Sequence, residues 1–274
     1  MTATTTPVDA ATVLLVRDGP DGLEVFLLER HLRSDFFGGA YVFPGGKVDE
    51  PDAQVDRGCW DGVDPAVVGR RIGADPSLAL GLLVAAVRET FEEAGVLLAS
   101  VRSGGALRPV TTADLDSGSF VDARRRLAAR GEHWDWRPWL ADEGIVLDLG
   151  ALHPWSWWIT PEGQHRRFDT RFFVAALPEA QRDVAAHDDV EATASVWATP
   201  AAALAARERG EYQVIFPTRR NLLALQAKGS VGGVLTGAAG GTEPLQPILP
   251  VASLAADGTV MVTAPGLGDP EPVE

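Results

Sequence analysis

The sequence predicts an α/β fold in which a mixed β-sheet is covered by helices on both faces. Three observations carry this expectation. Two apolar, β-branched runs at 11–16 and 23–28 flank Asp18-Gly19-Pro20-Asp21-Gly22, the pattern of a β-hairpin. An apolar, alanine-rich stretch from 78 to 87, free of proline, reads as helix and continues to 94. Strand-like and helix-like segments then alternate through the second half of the chain.

Taken in order, the hairpin is followed by a third short strand at 39–43. Residues 53–77 contain the loop-like Asp61-Gly62-Val63-Asp64-Pro65 and a short helical candidate near 66–72. The long helix 78–94 ends at Gly95, a natural helix stop. A charged helix is expected over 112–130, capped by Thr112 with Asp114 nearby. Residues 151–159 and 167–177 alternate as strands, and 193–197 is another. Helices are predicted at 200–207 and 217–228, each opened by a proline, which the first helical turn tolerates. From Gly229 onward glycine and proline dominate, with late strands at 247–252 and 259–263, and a loose end at 264–274. The expected organisation is a flexible N-terminus over 1–9, one domain over 10–228 and a Gly/Pro-rich C-terminal extension over 229–274.

The chemistry concentrates in Arg88-Glu89-Thr90-Phe91-Glu92-Glu93-Ala94-Gly95. On a helix Glu89, Glu92 and Glu93 share one face, so three carboxylates repel unless a cation sits among them. The plain alternative is a solvated face in which Arg88 pairs with Glu92 at i, i+4. Upstream, Tyr41-Val42-Phe43-Pro44-Gly45-Gly46 runs from a short strand into a turn where backbone can approach a ligand and present a carbonyl. Hard divalent cations take such carboxylate and carbonyl oxygens together and bridge to phosphates.

Phe43-Pro44-Gly45-Gly46 followed by Arg88-Glu89-x-x-Glu92-Glu93-x-Gly95 resembles the Nudix hydrolase signature. Two departures stand out. Asp52 occupies the place of the first glutamate of the box, and Asp52 and Arg88 lie 36 positions apart. The usual spacing is 8, so about 28 residues are inserted, a lengthening that costs little closure entropy. The insertion resembles that of the Nudix branch containing the peroxisomal coenzyme A diphosphatases of animals and their bacterial relatives. Further counterparts of that branch are Asp49, Val96-Leu97-Leu98, Trp158-Ile159-Thr160-Pro161, residues 166–173, and Glu191 with Trp197.

The resemblance implies a Nudix-type α/β/α sandwich with a mixed central sheet and a long insertion (53–77) within the box. It also implies Mg²⁺ or Mn²⁺ as cofactor, with the Gly45 carbonyl, Glu89, Glu92, Glu93 and the distal Glu191 as metal ligands. Asp188 and Asp189 compete with Glu191 for that last role. Glu89 is ligand, general base or both, and Arg88 orients it. Catalysis is thus expected of Glu89, Arg88 and Glu92. Asp49 and Asp52 are either turn formers or outer groups of the site. Arg167 and Arg171 are expected to face phosphate on one side of a strand, with salt bridges to the acidic surface as the alternative. Trp155, Trp157 and Trp158, like Trp134, Trp136 and Trp139, either stack a base or fill the core. The five histidines show no metal-ligand spacing. Leu27-Leu28-Glu29-Arg30 and Gly39 match a second coenzyme A motif only loosely, because Asp35 stands where its second arginine belongs.

Composition narrows the classes. With 274 residues, 46% of them hydrophobic, the chain can bury a full core. A net charge of −14 speaks against non-specific nucleic-acid binding, which needs a basic surface. The longest apolar runs fall short of a membrane span. The N-terminus carries no signal-peptide pattern and Cys59 is alone, so a cytoplasmic protein is expected. The favoured function is a metal-dependent diphosphatase of a small nucleoside-diphosphate-linked substrate, coenzyme A or acyl-coenzyme A first, ADP-ribose or NADH-like molecules second. The rival is a non-catalytic nucleotide-sensing module. A homodimer is the assembly the resemblance suggests.

Overall fold

The computed structural model describes residues 5–31, 38–129, 134–182, 184, 192–257, 259–264, 266–268 and 270–272. The expected hairpin is present as β1 (Val8–Gly19) and β2 (Gly22–Arg30), with Gly19 opposite Gly22 across the Pro20-Asp21 turn. Gly22 has φ +108°, a conformation that L side chains resist. The short strands β3 (Tyr41–Val42) and β4 (Gly45–Lys47) pair with β2 and β1 respectively. Then come β5 (Trp60–Asp61), α1 (Pro65–Ile72) and α2 (Pro76–Ala94). They are followed by β6 (Ala99–Ser103), β7 (Ala106–Pro109), α3 (Thr112–Leu115), α4 (Gly118–Ala128), α5 (Arg137–Asp142) and β8 (Ile145–Asp148). The second half supplies β9 (His153–Ile159), β10 (Phe168–Ala176) and β11 (Ala192–Ala198). It ends with α6 (Pro200–Glu208), α7 (Phe216–Gln226), α8 (Val231–Ala239), β12 (Val251–Leu254), β13 (Val260–Thr263) and β14 (Glu271–Pro272).

The central sheet is mixed, in the order β11-β2-β1-β10-β9, with β1 parallel to β10 and antiparallel to β2. Strand β1 explains why the sequence shows a continuous apolar run there. Ala11, Val13 and Leu15 enter one core together with α2, while Leu14 and Val16 enter another on the opposite face with α6, α7 and α8. A strand buried on both faces has no polar alternation to show. Helix α2 is likewise buried almost all round, as an apolar helix must be. On its far side lies a second sheet, β5-β8-β6-β7, whose Leu147 and Val101 complete the first core. The expected sandwich of helices, sheet and helices is what forms.

Several local expectations change. Residues 8 and 9 are paired in β1 rather than loose. The charged helix 112–130 is two helices, broken around Asp116-Ser117-Gly118, and its cap is Thr111, whose hydroxyl bonds the backbone and side chain of Asp114. The Gly/Pro-rich extension contributes α8, whose Val234 and Ala238 are buried in the second core. Its small residues pack closely without advertising a helix. Among the described residues no helix is long and apolar enough to cross a membrane.

Candidate active site at the end of helix α2

Helix α2 is fixed at both ends. Asp75 accepts the backbone N–H groups of Ser77 and Leu78, and Gly95 closes the other end at φ +73° while donating its N–H to the Phe91 carbonyl. Arg124 of α4 donates to the carbonyls of Glu92 and Glu93. Its guanidinium thus satisfies the helix end from outside. No basic side chain of α2 itself lies in the last turn. Glu89, Glu92 and Glu93 therefore occupy the two turns where the macrodipole is negative and carboxylates are disfavoured. Three acids placed against the local electrostatics are a sign of function rather than of helix stability.

Strand β4 lies against this face. A Cβ on Gly46 would sit 2.5 Å from the Glu89 carboxylate, and one on Gly45 would sit 2.4 Å from the Ala11 carbonyl oxygen. Only glycines allow the approach. The Gly45 N–H donates to Glu93 Oε2 at 2.8 Å, tying the strand to the helix.

Arg88 organises the rest. It grips Asp52 with two bonds, Nε to Oδ1 at 3.0 Å and Nη2 to Oδ2 at 2.9 Å. Nη1 donates to Glu89 Oε1 at 2.8 Å, the expected orienting contact, and Nη2 also donates to the Lys47 carbonyl. Asp49 and Glu92 stand at 3.7 and 3.8 Å. Burial disfavours the charged guanidinium, but the Glu89, Asp52 and Asp49 carboxylates more than reverse this and raise its pKa. Asp52 serves in both capacities the sequence left open. Its Oδ2 accepts the Asp49 N–H in a 3-10 turn, and its carboxylate, 1% exposed, clamps Arg88. The 36-residue separation hid this pair. Arg124 carried no signal at all, since its task is to meet carbonyls.

Among the described residues, no group of three His, Cys, Asp or Glu side chains converges tightly enough to hold an ion as it stands. The bonds explain why: Glu89 is drawn to Arg88 and Glu93 to the Gly45 N–H. Glu191, Asp188 and Asp189 lie outside the described residues.

Arg167 and Arg171, expected to meet phosphate, are turned to structural use. Arg167 donates to the carbonyls of Thr160 and Thr5. Arg171, whose side chain is 3% exposed, bridges Asp169 at 2.7 Å and Asp9 at 3.1 Å, donates to the Ile72 carbonyl, and lies over the Trp157 ring. Trp136, Trp139 and Trp158 resolve toward the core as well. Phe91 stacks on Trp139, Trp136 is buried, and Trp158 packs edge-on against Phe216.

The two-faced mixed sandwich, the Gly-Gly strand and the acidic helix end define a Nudix-type protein. The NUDT19 Nudix domain matches residues 69–221. A crystal structure of a Nudix hydrolase from Alicyclobacillus acidocaldarius is similar at a TM-score of 0.67 and 28% identity, covering 89% of this chain and 99% of that one. The acyl-coenzyme A diphosphatase NUDT19 of Gallus gallus is 29% identical over 228 residues, 68% of this chain and 56% of that protein. Its Homo sapiens counterpart is 33% identical over 189 residues, 58% and 49% of the two chains. This chain belongs to the NUDT19 Nudix family. It spans about half the length of the curated relatives it matches. The Nudix family generally uses a divalent metal.

Proposed function

We propose that this protein is a metal-dependent diphosphatase that cleaves the diphosphate of coenzyme A or acyl-coenzyme A. The observation that carries the reading is the carboxylate cluster at the end of α2, held against Gly45 and Gly46 by Arg88 and Asp52. The relatives' printed activity supports the substrate class.

The residues fit a hard divalent cation, Mg²⁺ or Mn²⁺. Glu89, Glu92 and Glu93 offer oxygen donors, beside the Arg88 guanidinium that is also shared with Asp52. These three, with the Gly45 carbonyl and Glu191, are the proposed ligands. An ion held by these residues would offset the diphosphate charge and would lower the pKa of a water. The protein's own contributions are positional and protolytic. Arg88, locked by Asp52, holds the Glu89 carboxylate in one orientation, ready to accept the proton of the attacking water. The glycines of β4 keep the space beside it free of side chains. Burial of Glu89 and Glu93 strengthens each charge interaction at the site.

Incubation of the purified protein with Mg²⁺ or Mn²⁺ and a panel of coenzyme A, acyl-coenzyme A, ADP-ribose and NADH tests this. The expected products are 3′,5′-ADP with phosphopantetheine or its acyl form, lost in Glu92→Gln. Cleavage of ADP-ribose or NADH alone would transfer the reading to those substrates, and no turnover of any would favour a sensing module.

A further inference from the structure

The last turn of α2 is held from outside the helix. Its final carbonyls, like those of any α-helix, have no partner within the helix. This end also lies in the interior, since Glu93, Ala94 and Val96 are all buried. The Gly95 N–H meets the Phe91 carbonyl. Arg124 meets the next two, donating from Nε to the Glu92 carbonyl at 3.0 Å and from Nη2 to the Glu93 carbonyl at 3.3 Å. One guanidinium thus spans the peptide groups of two of the three clustered glutamates.

Arg124 is brought there by α4, which aromatic packing fixes against α2. Phe120, Ala123 and Arg124 share one face of α4, and Phe120 and Ala123 are buried. Phe120 lies edge-on against Trp139, which stacks on Phe91 of α2. Gly95 leaves the opening through which the guanidinium arrives. A Cβ there would stand 2.8 Å from Arg124 Nη1 and 3.0 Å from its Cζ, so a side chain would push Arg124 off the carbonyls. The glycine that φ +73° favours is thus needed a second time.

Two arginines divide the cluster between them. Arg88 bonds the Glu89 side chain at 2.8 Å and stands 3.8 Å from that of Glu92, beyond hydrogen-bond length. Glu92 and Glu93 belong to the last turn, the part of a helix that frays. Tying their peptide groups fixes the directions in which their side chains leave the backbone. Glu93 extends this hold to β4, because its Oε2 accepts the Gly45 N–H at 2.8 Å. We propose that Arg124 is a positioning residue of the metal site, holding Glu92 and Glu93 in place for a divalent cation by bonding their backbone carbonyls. This role rests on the proposed function and is played from a helix outside the acidic segment.

Binding of Mn²⁺ alone, followed by the paramagnetic resonance signal of the free ion, tests this without turnover. The parent protein is expected to bind saturably, and Arg124→Met about tenfold or more weaker, the usual cost of removing a group that holds a ligand in place. Arg124→Lys keeps a cation but loses the planar fork, and is expected to fall between the two. Asp75→Ala, which loosens α2 at its opposite end, is expected to keep the parent affinity. In acyl-coenzyme A turnover, Arg124→Met is expected to raise the Mn²⁺ concentration for half-maximal rate by the same factor, with excess Mn²⁺ restoring much of the rate. Parent affinity in Arg124→Met, or in Arg124→Lys if the methionine variant does not fold, would overturn the proposal and leave the proposed function standing. An equal loss in Asp75→Ala would make Arg124 a general stabiliser of α2 and overturn it too. Absence of saturable Mn²⁺ binding by the parent would remove the metal site itself, and this role with it.

Discussion

Arg88 and Arg171 are both buried guanidiniums gripped by carboxylates, and the sequence offers no simple way to tell them apart. Their surroundings do. Arg171 has two carboxylates, a carbonyl and an indole face arranged around it, so the charge is met and the geometry is closed. Arg88 has four carboxylates within 3.8 Å, Asp49, Asp52, Glu89 and Glu92, with Glu93 on the same helix end. Lys47 pairs with Asp49 at 2.9 Å, and the helix dipole adds to the negative charge at this end of α2. A buried arginine by itself therefore marks nothing. The proposed function turns on the cluster of carboxylates around Arg88, which would take a further cation.

Substitutions can break this contrast. The largest effect is expected from Glu92→Gln. Turnover should fall about 10²- to 10⁴-fold, the range for removing a group that acts in the transition state. Stability by urea denaturation should stay within about 1 kcal/mol, because Glu92 stands 3.8 Å from Arg88, beyond hydrogen-bond reach. A large stability loss with modest loss of turnover would make it a structural pair instead.

Asp52→Asn comes next. Removing the charge that grips Arg88 twice within the interior should cost about 3 kcal/mol, and turnover should drop because Glu89 loses its fixed partner. Full activity in that variant would deny Arg88 its orienting role.

Arg171→Met should cost about 2 kcal/mol, since Asp9 and Asp169 remain partly solvated when the guanidinium goes. Both kcat and KM should be unchanged. A raised KM at undiminished stability would restore the phosphate contact first expected of Arg171.

The smallest effect is a pH dependence at His153. Burial, and then the nearby Arg71 charge, hold its folded pKa below the ordinary 6.5. The unfolded chain therefore takes up the proton first. The contribution to stability is complete above about pH 6.5 and is lost as pH falls from there toward the folded pKa. Melting curves should show this slope in the parent protein and a shallower one in His153→Gln.

The parts legible in the sequence were those governed by local rules. The hairpin turn around Pro20-Asp21, the proline-opened helices and the Gly95 stop each follow from one or two residues and appear where expected. The acidic helix and the Gly45-Gly46 strand were readable because glycine and clustered glutamate have few other reasons to occur so. What stayed hidden depends on partners far along the chain. Asp52 reads equally as a turn former or an outer group of the site until it meets Arg88, and Arg124 like any surface arginine until it meets the end of α2. The strand pairing that buries Arg171 beside Asp9 joins residues 162 positions apart. Helix α8 was missed because glycine-rich segments read as breaks, although close packing of small residues is what its place requires.

The most direct measurement is product analysis after incubating the purified protein with an acyl-coenzyme A and Mg²⁺ or Mn²⁺, with chelator and Glu92→Gln as parallel reactions. Formation of 3′,5′-ADP and acyl-phosphopantetheine in equal amounts, abolished by chelator and by the substitution, is the predicted result. Undiminished cleavage in the presence of chelator, or in Glu92→Gln, would contradict the assignment of the α2 carboxylates as a metal-dependent diphosphatase site.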